Sequence, residues 1–284
     1  MINILITTNR NYLHQLKVLI KSLEVSNPDE KFNIYILQRD FTQATKKELT
    51  TSADKLKTTI NYIKVLSDDF KDFPIVDKRY PLEIYYKLFA SIYLPKEIDR
   101  ILYLDPDIVV INSIKEFYHH PFKDNYYIAT SHVFGIVKIF NNLRLNLSKD
   151  TPYINAGVLL INNKKLRGLD IKNIIYSYVK KNKHKLMLPE QDIISSLFGN
   201  KTIIIDELIY NLGDRAVKLY NRSHKKNEIN LNWVNKNTKI IHYYGKNKPW
   251  KKSYRGILSI YYYNYDSLLK EEKNKNFPKT YCQK

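Results

Sequence analysis

Ile101-Leu102-Tyr103-Leu104-Asp105-Pro106-Asp107 is an apolar run that stops at once on two acids. Four apolar residues of this kind read as a buried strand, and Asp-Pro-Asp reads as the turn that ends it. In an open parallel sheet, ligands gather beyond the carboxyl ends of strands, which is where this run delivers its acids. Residues two apart in an extended chain point the same way, so Asp105 and Asp107 can face one cation. Taken alone, such a tripeptide is in most proteins a solvated turn. Its position directly behind a buried strand brings the ligand reading level with that one.

Working outward, the upstream chain alternates strand and helix. Ile2–Thr8 reads as a strand, and Leu13, Leu16, Leu19, Ile20 and Leu23 recur at helical spacing up to Asn27-Pro28. Phe32–Leu37 and Thr59–Val65 read as further strands, separated by a polar helix from a Thr42 cap to Leu56. Leu82–Leu94 reads as helical and carries Lys87. This alternation predicts a parallel sheet with helices on both faces. Downstream, Tyr126–Thr130, Ile154–Ile161, Thr202–Ile205 and Lys239–Tyr243 read as strands, with helices at Ile171–Val179 and Pro189–Phe198. The expected architecture is one α/β domain over residues 1–250, with a basic, aromatic extension over 251–284.

Bulk properties narrow the function. The chain has 284 residues, 44% of them hydrophobic, which is ample for a core and excludes general disorder. Its one cysteine, Cys282, permits neither an intramolecular disulfide nor a cysteine metal site, which fits a reducing cytoplasm. No apolar run approaches a membrane span, and Met1–Thr8 lacks the form of a secretory signal. From Arg215 onward there are seventeen lysines and arginines against four acids, so thirteen of the nineteen net positive charges lie there. The charge therefore belongs to one surface of the molecule.

Three more segments carry polar residues in unusual places. Tyr153-Ile154-Asn155-Ala156-Gly157-Val158-Leu159-Leu160-Ile161-Asn162 is a strand pattern in which Gly157 allows close approach of a ligand or backbone, or marks a bulge. Leu188-Pro189-Glu190-Gln191-Asp192 opens a helix with acids, which also serve as ordinary dipole partners. Ile240-Ile241-His242-Tyr243-Tyr244-Gly245-Lys246-Asn247-Lys248-Pro249-Trp250 follows a histidine with a glycine and lysines, which suits a loop closing over phosphate.

In this order, Leu104–Asp107, Asn155–Leu159, Gln191-Asp192 and His242 with Gly245 and Lys248-Pro249-Trp250 resemble glycosyltransferase family 8. The similarity runs from Ile2 to Trp250 and is strongest to the bacterial branch that includes lipopolysaccharide galactosyltransferases. The resemblance implies a GT-A fold with a mixed, mainly parallel central sheet. It also implies a UDP-sugar donor, UDP-glucose or UDP-galactose, and retention of anomeric configuration. A divalent metal, manganese or magnesium in its place, would be held by Asp105, Asp107 and His242. Thr7, Thr8, Asn9, Asn11, Tyr12, Lys87, Pro106, Asn155, Ala156, Gly157 and Glu190 fall at donor-binding positions. Gly245 and Lys248 match the diphosphate contacts. Gln191 falls beneath the anomeric carbon, and Asp192 is the neighbouring carboxylate able to trap the sugar.

Four positions depart from the family pattern. Asn9 replaces an acid that touches uracil, Lys87 an arginine, His132 an acid and Glu190 an aspartate. The last two border the donor sugar, so the choice of sugar does not carry over, and Asn9 leaves the base preference open. The Asp68–Arg79 loop and Tyr244 are candidates for steering the acceptor, a glycan or a glycosylated protein. Three readings remain open for the tail, where Tyr254, Leu258, Tyr261, Tyr262 and Tyr265 lie near helical spacing: an interfacial membrane helix on the inner face, a homo-oligomer contact, or a last helix packed on the core. The rival classes are a silent family member acting as a partner subunit and a nucleic-acid binder. The confinement of charge to one end and the lack of any nucleic-acid-binding motif argue against the latter.

Overall fold

The computed structural model describes residues 1–75, 81–131 and 135–275. Nine strands are present: β1 (Ile2–Thr7), β2 (Phe32–Gln38), β3 (Thr58–Lys64), β4 (Arg100–Leu104), β5 (Ile108–Val110), β6 (Tyr127–Thr130), β7 (Asn155–Asn162), β8 (Thr202–Ile204) and β9 (Ile240–His242). Seven form one sheet in the order β3-β2-β1-β4-β7-β6-β8, and β5 pairs with β9. β3, β2, β1 and β4 run parallel, whereas β7 lies antiparallel between β4 and β6. The sheet is thus mixed and mainly parallel, as expected. An apolar run looks the same in either direction, so the reversal of β7 has no local sequence signal.

The two faces of the sheet are read directly from alternation. Along β4, Ile101 and Tyr103 join one core cluster while Leu102 and Leu104 join the other. Along β7, Leu159 and Ile161 pack with the first pair, and Val158 and Leu160 with the second. Burial on both faces explains why these strands are continuously apolar.

Several elements differ from the sequence reading. The polar helix begins behind its Thr42 cap but ends at Ser52, because Ala53 turns extended before Leu56. Leu82–Phe89 is a 3-10 helix followed by a short α-helix, Ala90–Tyr93. The helices Gly135–Leu145, Asp214–Ser223 and Leu231–Asn237, and the three-residue strand β5, were not anticipated.

The tail also resolves. Ser259–Lys275 is a helix, and Leu258, Tyr262 and Tyr265 are buried in a third cluster with Val18, Leu212, Ile241 and Tyr243. Its polar side is tied to the first helix, Leu13–Ser26. Asp266 Oδ1 lies 2.7 Å from His14 Nε2, Lys21 Nζ donates to Glu272 Oε1 at 2.9 Å, and Ser26 Oγ lies 2.8 Å from Tyr265 OH. The aromatic spacing read for the tail is therefore the spacing of a core-facing stripe, and Ser259–Lys275 packs against the rest of the chain. No helix among the described residues is long and apolar enough to cross a membrane.

Candidate active site

Three chain segments meet at the carboxyl end of β4. The strand itself places Asp105, whose backbone N–H donates to Gly157 O at 2.9 Å. Pairing of β5 with β9 sets Ile108 opposite His242, and Tyr243 N donates to Asp107 O at 3.0 Å. One short ladder thus fixes the histidine beside both acids. Ligand atoms of Asp105, Asp107 and His242 all lie within 4.8 Å of one another. His242 Nε2 is 3.6 Å from Asp105 Oδ2 and 3.2 Å from Asp107 Oδ1.

Each acid has its own buried lysine. Lys87 Nζ donates to Asp105 Oδ1 at 3.1 Å and to Ala156 O at 3.0 Å, and it stands over the Tyr103 ring at 4.3 Å. Tyr103 OH also donates to Asp105 Oδ1 and lies 3.1 Å from Thr7 Oγ1. Lys248 Nζ donates to Asp107 Oδ2 and, at 2.7 Å, to Tyr243 O. Burial alone would raise the Asp107 carboxyl, but the Lys248 ammonium beside it holds it well below the usual carboxylate range. Burial likewise opposes the charge on Lys248, and Asp107 more than offsets it, so the amine stays protonated.

The histidine's tautomer follows from a chain of hydrogen bonds that starts at the backbone. Gly157 N donates to Asn155 Oδ1 at 2.9 Å, which marks that atom as an acceptor. Asn211 Nδ2 donates to the same atom at 3.0 Å and to Thr130 Oγ1 at 2.8 Å. Asn211 Oδ1 must then face His242 Nδ1, 2.9 Å away, and accept its proton. In the neutral ring, the form that binds a metal, Nε2 then has its lone pair toward two carboxylates. Two anionic oxygens and an imidazole lone pair repel one another unless a cation lies among them. Asp107 Oδ1 is buried with no hydrogen-bond partner, which adds to the same conclusion. The donor set fits a divalent ion of the manganese or magnesium kind.

Gly157 is required by the approach of this group. A Cβ there would stand 2.8 Å from His242 Nδ1 and 2.9 Å from Asp105 Oδ2. Gly245 adopts φ +77°, the left-handed region that favours glycine, and so turns the loop between His242 and Lys248. Together these segments floor a cavity of about 1150 Å³.

A family model for glycosyl transferase family 8 matches residues 3–253. The chain belongs to that family. A lipopolysaccharide 1,2-glucosyltransferase of Escherichia coli is 26% identical over 85% of this chain and 71% of its own length. A lipopolysaccharide 1,3-galactosyltransferase of Salmonella typhimurium is 24% identical over 87% and 72%. Among solved structures, the galactosyltransferase LgtC in complex with donor and acceptor sugar analogs superposes with a TM-score of 0.82. That match covers 97% of this chain and all of LgtC at 24% identity, and it shows the GT-A fold.

Most residues assigned by resemblance to the family line the cavity: Thr7, Thr8, Asn9, Tyr12, Lys87, Asp105, Pro106, Asp107, Asn155, Gly157, Glu190, Gln191, His242, Gly245 and Lys248. Ala156 is fully buried beneath it and contributes backbone: its N–H donates to Gln191 Oε1 at 3.3 Å and its carbonyl holds Lys87. Asn11 is exposed outside the lining, where its N–H donates to Asn9 Oδ1 at 3.0 Å and shapes the turn. Asp192 does not reach the cavity. It is fully buried, held bidentately by Arg144 at 2.8 and 2.9 Å, by Tyr153 OH at 2.7 Å, and by Met187 N and Leu188 N at 2.7 and 3.1 Å. A carboxylate so saturated is not available to trap a sugar. Glu190 is the reverse case: it is buried in the lining with Oε2 unpartnered, and burial pushes its carboxyl up to about 7.

Tyr103, Asn211 and Arg144 were missed. Tyr103 had a signal, since it lies two residues before Asp105 on the same face of β4. Asn211 and Arg144 come from distant segments and had none. His132, residues 76–79 of the acceptor-side loop, and Cys282 lie outside the described residues. Within the described part of that loop, Phe70 and Phe73 are core.

Proposed function

We propose that this family 8 enzyme transfers a hexose, glucose or galactose, from a UDP-sugar to an acceptor glycan or glycosylated protein, with retention. The observation that carries the reading is the convergence of Asp105, Asp107 and the lone-pair face of His242 on the floor of a cavity that also contains Lys248 and Gln191. A bound divalent cation supplies Lewis-acid stabilisation of the leaving diphosphate. Lys248, held charged by Asp107, is the protein's own cation for that charge, and it is already oriented before the bond breaks. The left-handed turn at Gly245 brings the loop's backbone toward the same phosphates.

Gln191 is an amide and therefore a poor base and a poor nucleophile, which disfavours simple inversion. Its oxygen, steadied by Ala156 N, keeps a second lone pair for positive charge developing on the sugar. With Asp192 locked by Arg144 and Tyr153, the acceptor hydroxyl is best delivered from the leaving-group side, its proton passing to the departing diphosphate. Glu190, with one carboxyl oxygen unpartnered in the lining, is placed to receive a sugar hydroxyl.

The test is UDP release from a panel of UDP-sugars with manganese, repeated in excess chelator. UDP-glucose or UDP-galactose should turn over, and chelation should abolish it. Full activity in chelator refutes the metal assignment. A β-linked product from an α-linked donor, read from its anomeric proton by NMR, refutes retention.

A further inference from the structure

A second cavity of about 440 Å³ adjoins the first, sharing His242, Tyr244, Arg215 and Leu219 with it. It lies between the helix Asp214–Ser223 and the loop after β9. Arg215, Lys218, Arg222 and Arg255 line it, and all four are exposed. None of them makes an ion pair with a described residue. The acid between them, Asp214, is taken up by Tyr254 OH and by Ile257 N at 3.0 Å.

Two features show that this arrangement is built. Arg215, Lys218 and Arg222 lie three and four apart on one helix, where like charges repel and an interspersed glutamate would relieve them. The fourth cation is presented by a closed loop. Asn247 Nδ2 donates to Arg255 O at 2.8 Å, and Arg255 N donates back to Asn247 Oδ1 at 2.9 Å. The loop also folds tightly onto the helix, since a Cβ at Gly256 would collide with the Asp214 carboxylate. Four cations against the single carboxylate of Asp214 leave a net positive cavity, a site for a multiply charged anion.

We infer that this cavity binds a phosphate group carried by the acceptor, so that the acceptor is a phosphorylated glycan. The inference rests on the glycosyltransferase reading, and it names the acceptor's chemistry. In the proposed function the donor's own diphosphate is met by Lys248 and Gly245, which line the first cavity and not the second. A dianion matches four cations set against one carboxylate better than a monoanion does, and the volume admits the phosphate with the sugar that bears it.

The test titrates the full chain, saturated with UDP and manganese, with glucose 6-phosphate and with glucose. Glucose 6-phosphate should bind at least ~10-fold tighter, and more weakly as salt rises. The double variant Lys218→Gln/Arg222→Gln lines only the second cavity. It should lose about tenfold of that affinity and leave UDP affinity unchanged. Equal binding of the two sugars overturns the inference, as does glucose 6-phosphate binding that the variant does not weaken. Glucose 6-phosphate binding that is tight without UDP and lost in its presence also overturns it, because the anion would then sit in the donor site. Phosphatidylglycerol vesicles provide the remaining arm. Vesicle binding that the variant abolishes, with no glucose 6-phosphate binding, would make the surface a lipid-headgroup site and refute the acceptor role. Failure of UDP itself to bind is read in the same titration and would refute the glycosyltransferase reading instead.

Discussion

The turn after β4 and the first turn of the helix Pro189–Phe198 each bury an aspartate, and the two are used in opposite ways. Asp192 is surrounded by donors, with both guanidinium nitrogens of Arg144, a tyrosine hydroxyl and two backbone amides on its two oxygens. Asp107 gives one oxygen to Lys248 and leaves the other without a hydrogen bond, facing the lone pair of His242. A buried carboxylate that is fully satisfied holds the fold. One left unsatisfied is held ready for a ligand.

That contrast is tested first at Asp192. Asp192→Ala leaves Arg144 buried without its partner, and we expect a loss of about 3–5 kcal/mol in denaturant unfolding. A midpoint near that of the wild type would break the contrast. Asp107→Asn keeps an amide oxygen for Lys248 and relieves the repulsion between the two acids, so it should cost clearly less stability than the Asp192 variant while turnover falls at least ~100-fold, or about 2.7 kcal/mol. Should it unfold as readily as the Asp192 variant, Asp107 is structural too.

Glu190 sharpens the comparison through pH. Its folded value, about 7, lies above the ordinary glutamate value of 4.5, so the folded state holds the proton more tightly than the unfolded chain does. Stability contributed by the neutral form is therefore lost as pH rises through this window. Between pH 5 and 7, metal-free wild type should lose about 2 kcal/mol more than Glu190→Gln. Parallel pH profiles would show that the carboxyl is not desolvated. Asn211→Ala should have the smallest effect, weakening manganese affinity about tenfold as its hold on the imidazole is removed. Nitrogen-15 NMR of His242 checks the cause: the Nδ1–H form should dominate in the wild type and give way to a mixture in the variant.

The residues that chemistry selects were more legible than those that support them. Asp105, Asp107, Gly157, His242 and Lys248 stand in short motifs, and periodicity placed them at strand ends. Asn211 and Arg144 act through side chains that cross 31 and 48 residues of chain to reach His242 and Asp192. Nothing local distinguishes them from any surface asparagine or arginine. The three readings of the tail stayed open for a related reason. Tyr262 and Tyr265 have a spacing that fits a membrane surface or a protein core equally well. The partners that decide it, Val18, Ser26 and Tyr243, lie far away in sequence.

The two buried lysines beside the aspartates have a consequence for the order of events. Asp105 and Asp107 carry two negative charges, and Lys87 and Lys248 return two positive ones, so the pocket is close to neutral before anything enters. The protein consequently has no need of a metal to fold, unlike small domains whose ligands are unpaired without one. A bare dication gains little net attraction from such a pocket, whereas a dication accompanied by a diphosphate brings its own countercharge for the lysines. On the proposed reading, cation and nucleotide should reinforce each other's retention by the same factor in either order and be captured as a pair.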